Sequence, residues 1–103
     1  MHITIIGLGL IGGSLSKALK KSGFATRITG VEQNPTHAAE ALALGLADEI
    51  LPLPEAIQQS KIIIVATPVN TLLHLLPYLL DHITPDQIVI EVGSTKGDRK
   101  SVV

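Results

Sequence analysis

Cysteine is absent from this chain, which excludes disulfide bonds and thiolate chemistry outright. Excess charge is lacking too: 8 basic and 9 acidic residues leave a formal net charge of -1 over 103 residues. A nucleic-acid surface needs Lys and Arg gathered on one side to meet phosphates. Here Lys17, Lys20, Lys21 and Arg27 come early, Lys61 stands alone, and Lys96, Arg99 and Lys100 come last. No nucleic-acid partner is expected. Between Ile28 and Ser60 there are the acids Glu32, Glu40, Asp48, Glu49 and Glu55 and no Lys or Arg. Long apolar runs are missing as well, none approaching the roughly 18 residues of a membrane-crossing helix. The short apolar run after Met1 has no positive n-region and is broken by glycines, unlike a signal peptide. These absences predict a soluble, cytoplasmic protein with no membrane partner. Internal repeats and low-complexity linkers are lacking, and the length fits one domain near the small end for a sheet covered on both faces.

What is present is an alternation of apolar runs and helical patterns, the mark of a parallel α/β sheet. Ile3–Ile6 is nearly all β-branched and reads as a strand buried on both faces. From Leu10 the period lengthens. Ile11, Leu15, Ala18 and Leu19 fall on one helical face, and Lys17, Lys20 and Lys21 face away and sit in a last turn closed by Gly23. Arg27–Val31 reads as a second strand. Asn34-Pro35 then opens a helix that runs to about Leu44 and stops at Gly45. A short third strand is expected within Ala47–Leu51 and a brief helix near Pro54–Ser60. Ile62–Ala66 is the clearest strand, and Ile88–Val92 is the fifth. Between them Val69–Leu80 is a leucine-rich helix that Pro77 should kink or break near Leu76. Its stripe of Leu72, Leu76, Leu79 and Leu80 leaves out Leu73 and Leu75, which predicts exposed apolar side chains meant for a further domain or subunit. The fold class is a Rossmann-type doubly wound sheet of about five strands, order 3-2-1-4-5, with helices on both faces. After the fifth strand, Thr95 to Asp98 has capping-box spacing, so the chain is expected to be a piece of something longer.

Gly7-Leu8-Gly9-Leu10-Ile11-Gly12 is a G-x-G-x-x-G set between a strand and a helix. Glycines recur by chance, so context carries the inference. A second strand follows, and Glu32 at its end lies 20 residues past Gly12, where an acid is expected to meet a ribose. Gly7 makes the tight turn, Gly9 admits a pyrophosphate close to the backbone, and Gly12 lets the helix pack on the sheet. The helix N-terminus offers free N–H groups to the phosphates. Glu32 accepts from ribose hydroxyls and repels a 2′-phosphate. Gln33 and Asn34 follow it rather than Arg, so NAD is expected over NADP. Thr67-Pro68-Val69 leaves the fourth strand across the switch point, where ligands of open α/β sheets lie. Alternatively, Thr67 only caps a helix. His2, His37, His74 and His82 show no metal-ligand spacing and read as solvated or packed, so no metal is expected.

Four blocks of this sequence resemble the prephenate dehydrogenase family: Ile5–Leu15, Gly30–Pro35, Ala66–Val69 and Glu91–Gly97. That family oxidatively decarboxylates prephenate to 4-hydroxyphenylpyruvate with NAD, or arogenate to tyrosine, in tyrosine biosynthesis. The resemblance implies that residues 1–103 are an NAD-binding domain, whose partner is a C-terminal helical domain that dimerises and completes the substrate site. It places Gly7, Leu8, Gly9, Leu10, Ile11 and Gly12 at the pyrophosphate and Glu32, where the family usually has Asp, at the ribose. Thr67, Pro68 and Val69 would line the cofactor cleft, and Ser94 would lie beside the substrate's ring hydroxyl. Glu91 also replaces a usual Asp. The family's base and its carboxylate-binding arginines lie downstream of the Gly93-Ser94 segment, so this chain alone is expected to be inactive. Two other readings use the same fold: the nucleotide domain of a β-hydroxyacid or imine-reducing dehydrogenase, and a non-catalytic NAD-sensing module.

Overall fold

A computed structural model describes residues 1–67 and 69–92, with the side chains of Leu10 and residues 69–72 outside that description. Nine elements alternate along them: β1 (His2–Ile6), α1 (Leu10–Ser22), β2 (Arg27–Val31), α2 (Pro35–Ala43), β3 (Glu49–Ile50), α3 (Leu53–Gln59), β4 (Ile62–Val65), α4 (Val69–His82) and β5 (Ile88–Glu91). All strand pairs are parallel, in the order β3-β2-β1-β4-β5. The doubly wound sheet expected from the sequence is therefore observed.

Strand alternation sorts the core into two layers. On one face Ile3, Ile5, Ile28, Ile62 and Ile64 pack with Leu15 and Leu19 of α1 and Ala41 of α2. On the other, Ile6, Ile63 and Val65 meet Ile57 of α3 and Leu75, Leu76 and Leu79 of α4. Buried hydroxyls lock elements to this frame. Thr4 of β1 donates to the Ala56 carbonyl of α3 at 3.0 Å and also bonds Ser60. Ser16 of α1, fully buried, donates to the Leu46 carbonyl after α2.

Four expectations need correction. α1 buries Gly12, Gly13 and Ser16, whereas Ile11 and Ala18 are exposed. Gly12 lies against the Gly7 carbonyl, Gly13 against Leu46, and the Ser16 hydroxyl bonds the Leu46 carbonyl, so this face turns inward rather than that of Ile11 and Ala18. α4 does not break at Pro77 but continues to His82. Pro77 is exposed, so the carbonyl it leaves unpaired one turn earlier can be met by water. The inward stripe of α4 includes Leu75, Leu76 and Leu79, while Leu73 and Leu80 are 63% and 62% exposed. β1 begins at His2 and α4 ends at His82, beyond the strand expected at Ile3–Ile6 and the helix expected at Val69–Leu80. The capping-box segment at Thr95 falls outside the described residues.

Candidate functional site

The carboxyl ends of β1, β2 and β4 lie side by side because β1 is central and pairs in parallel with both. Gly7 ends β1 with its N–H donated to the Val31 carbonyl at 2.8 Å, and Ala66 donates to Ile6 at the same distance. Gly7 has φ +94, a left-handed conformation that disfavours any side chain. A Cβ there would also come within 2.8 Å of the Ala66 carbonyl oxygen.

The other two glycines of the motif answer to different constraints. A Cβ on Gly12 would run into the Gly7 carbonyl, so Gly12 lets the first turn of α1 close over its own loop. Around Gly9, its chain neighbours aside, nothing among the described residues lies within 4 Å of such a Cβ. The fold leaves that space open. α1 begins at this point with Gly9 as N-cap, no side-chain cap and no acid in its first turn. Its leading N–H groups and positive dipole end therefore face the open space. α2 differs: Asn34 Oδ1 accepts from the Thr36 and His37 N–H groups at 2.9 and 3.4 Å and closes that helix end.

Glu32, just past β2, reaches back across the junction. Its Oε1 accepts from the Leu8 N–H at 2.6 Å and its Oε2 from the Asn34 N–H at 3.1 Å. With its side chain only 11% exposed, the carboxylate is held by two backbone donors beside the glycine loop. The Leu8 side chain turns away into the core, over Gly30 of β2, where a Cβ would overlap it. Leu8 can thus offer a ligand only its backbone. Ile11 is exposed on the first turn of α1, and the backbones of Leu10 and Val69 open α1 and α4.

Across the junction, Thr67 Oγ1 is buried with no hydrogen-bond partner among the described residues. Such an orphan is costly unless something meets it, and it lies beside the Gly7 turn, where its methyl would be 2.9 Å from a Gly7 Cβ. Pro68 and Ser94 lie outside the described residues. The structure therefore brings Gly7, Gly9, Gly12, Glu32 and Thr67 to one end of the sheet.

The histidines divide. His2 and His82 line a groove with Ser60, Lys61 and Gln87 at the opposite, amino-terminal end of the sheet. Burial and the Arg27 charge hold the His2 pKa below its ordinary value. His82 stacks on Tyr78 with ring centroids 4.1 Å apart. His37, expected to be a bystander, stands with Nδ1 3.7 Å from Glu32 Oε2. The five-residue spacing across the Asn34-Pro35 helix start is the signal that could have found this pair. No group of three His, Cys, Asp or Glu side chains able to hold a metal occurs among the described residues.

A parallel sheet with a glycine loop, an uncapped helix start and an acid at the neighbouring strand end defines a dinucleotide-binding Rossmann domain. Residues 15–102 match the family described as prephenate dehydrogenase, nucleotide-binding domain, and the chain belongs to that family. It is 36% identical over 96 residues to prephenate dehydrogenase of Bacillus subtilis, a match covering 91% of this chain and 26% of that protein. Prephenate dehydrogenase from Aquifex aeolicus, solved with hydroxyphenyl propionate and NAD+, superposes with a TM-score of 0.81 at 30% identity, over 94% of this chain and 35% of that one. Synechocystis arogenate dehydrogenase gives 0.80 at 35% identity, over 93% and 34%. The chain spans about a quarter of the length of the curated relatives it matches. Among the described residues no helix is long and apolar enough to cross a membrane.

Proposed function

We propose that this chain is the NAD-binding domain of a prephenate dehydrogenase of tyrosine biosynthesis. The observation that carries the reading is Glu32, fixed by the Leu8 N–H beside the open space over Gly9. A dinucleotide laid there meets the α1 N-terminus with its pyrophosphate and Glu32 with its adenosine ribose. Gly7 and Gly12 shape the loop, and Thr67, Pro68 and Val69 line the nicotinamide side, where the Thr67 hydroxyl gains a partner. NAD bound in this way supplies the hydride acceptor. Oxidation of prephenate transfers a hydride from the ring carbon bearing the hydroxyl, while loss of CO2 aromatises the ring to 4-hydroxyphenylpyruvate. Ser94 stands beside the ring hydroxyl in this reading. The base and the groups that bind the substrate carboxylates come from a helical partner domain, and two copies pair as a homodimer.

Arogenate is the second substrate reading, favoured by the 35% identity to the Synechocystis enzyme. Calorimetric titration of the chain tests the cofactor. NAD should bind more tightly than NADP, since Glu32 opposes a 2′-phosphate, and Glu32→Ala should weaken NAD and narrow the difference. NADP binding equal to or tighter than NAD would overturn the reading. Turnover of prephenate and arogenate by a longer protein containing this domain decides between substrates.

A further inference from the structure

Parallel sheets are covered by helices on both faces, and here one face is covered only in part. Among the described residues, α3 and α4 meet the face of Ile6, Ile63 and Val65, whereas the face of Ile62 and Ile64 meets α1 and α2 alone. Ile88 and Ile90 of β5 stand in register with Ile62 and Ile64 and so share that second face. The β4 pair is buried, but Ile88 and Ile90 are 52% and 42% exposed. On its other side β5 packs Val89 into the α4 layer. It has the two-sided apolar pattern of an interior strand, with only one side covered.

α1 leaves apolar surface toward the same place. Its Gly13, Ser16 and Lys20 meet Leu46 and Asp48, toward the β3 edge of the sheet. At 3.6 residues per turn, Ile11, Leu15 and Ala18 lie roughly half a turn round from these, on the flank toward β4 and β5. Leu15 is partly buried, Ile11 is 49% exposed and Ala18 is exposed. The apolar stripe legible in the sequence of α1 is thus present, and part of it has no cover. Neighbouring helices pack about 8–10 Å apart and strands about 4.8 Å, so a helix beside α1, which packs on β1, sits two strands along, over β4 and β5.

We propose that this trough, with α1 as its wall and β4 and β5 as its floor, is the docking surface for an apolar-faced helix of the partner domain. The inference rests on the reading of this chain as one domain of a longer dehydrogenase. The shared stretch is 26% of the Bacillus subtilis relative and 35% of the Aquifex aeolicus chain, so those proteins have further polypeptide to supply such a helix. Val92, just past β5, packs against the same cluster, so chain that follows β5 starts beside the trough. At its carboxyl end the trough reaches Ile11, next to Gly12, which faces Ala66. A helix seated there is carried to the end of the sheet that holds Gly7 and Thr67, which fixes where groups of the partner domain meet the site.

Because the chain has no cysteine, single thiols can report on this surface. Ala18→Cys, Ile90→Cys and, as a control on α2, Glu40→Cys are made in the 103-residue chain and in a longer protein that contains it and is otherwise free of cysteine. Reaction with a maleimide is timed for each, with circular dichroism to confirm folding. All three thiols should react freely in the 103-residue chain. In the longer protein those at positions 18 and 90 should react about tenfold or more slowly, since reagent must wait for the contact to open, and that at position 40 should keep its rate. Equal rates at 18 and 90 in the two proteins overturn the docking surface. Protection in the 103-residue chain that grows with its concentration overturns it too, and assigns the trough to a second copy. Turnover of prephenate or arogenate by a longer protein whose thiols at 18 and 90 react freely removes the docking surface and leaves the function standing. Protection without NAD binding or turnover does the reverse.

Discussion

Space is open beside Gly9, and the buried Thr67 hydroxyl has no partner among the described residues, as the proposed ligand site would require of both. Gly12 is the opposite case, because its missing Cβ makes room for a backbone oxygen that cannot move aside. Gly9→Ala should therefore unfold thermally like the wild type yet lose about tenfold or more in NAD affinity, as the methyl enters the pyrophosphate's place. Thr67→Val should hold or raise stability by up to about 1–3 kcal/mol, since an unsatisfied hydroxyl is removed, and should weaken NAD. Gly12→Ala should lose stability first. Equal thermal shifts in Gly9→Ala and Gly12→Ala would mean that both glycines serve packing. The motif's spacing was legible in the sequence. The turn at Gly7 and the need for a small residue at Gly12 were legible too; that a Cβ on Gly12 would meet the Gly7 carbonyl emerged only when the atoms around it were in place.

At the scale of elements, polar contacts join the packing of Leu15 and Leu19 in tying α1 to the rest of the domain. Asp48 shows how. Its Oδ1 meets Lys20 of α1 at 2.7 Å, and its Oδ2 accepts from the Ile28 N–H of β2 at 2.8 Å. Burial pushes the Asp48 carboxyl up, but these two hydrogen bonds outweigh it and hold its pKa below the ordinary value. A folded pKa below the unfolded one gives stability that is complete above the unfolded value, about 3.9, and fades as pH falls through the folded value. Denaturant unfolding should show this loss below about pH 4, and Asp48→Asn should be less stable at neutral pH and flatter in acid. An unchanged acid limb would show that Asp48 contributes nothing to it. In α4, Leu79 is fully buried and Leu73 is exposed. Leu79→Ala should cost about 2–5 kcal/mol, and Leu73→Lys should stay within about 0.5 kcal/mol. A comparable loss in both would mean that the helix sits rotated from its observed face. Leu75 and Leu80 exchanged their expected places because a leucine-rich helix offers several stripes, and only the position of the sheet selects one.

For the whole molecule, the distribution of histidines bears on activity. His2 and His82 lie at the far end of the sheet, His37 stands beside Glu32, and His74 is exposed on α4. In the proposed function the general base comes from a partner domain rather than from these histidines. The purified 103-residue chain should bind NAD and produce no NADH from prephenate; measurable absorbance growth at 340 nm would place a base within it. The sequence by itself determined the strand order, the glycine loop and the acid at the end of β2. Each of these is written in local periodicity and spacing, and right-handed crossovers leave few ways to join alternating strands and helices. The tertiary structure alone decided which face of α1 and of α4 turns inward and that α4 passes through Pro77. These depend on which surfaces of separate elements meet, and on where water can reach an unpaired carbonyl, neither of which is encoded in any single segment.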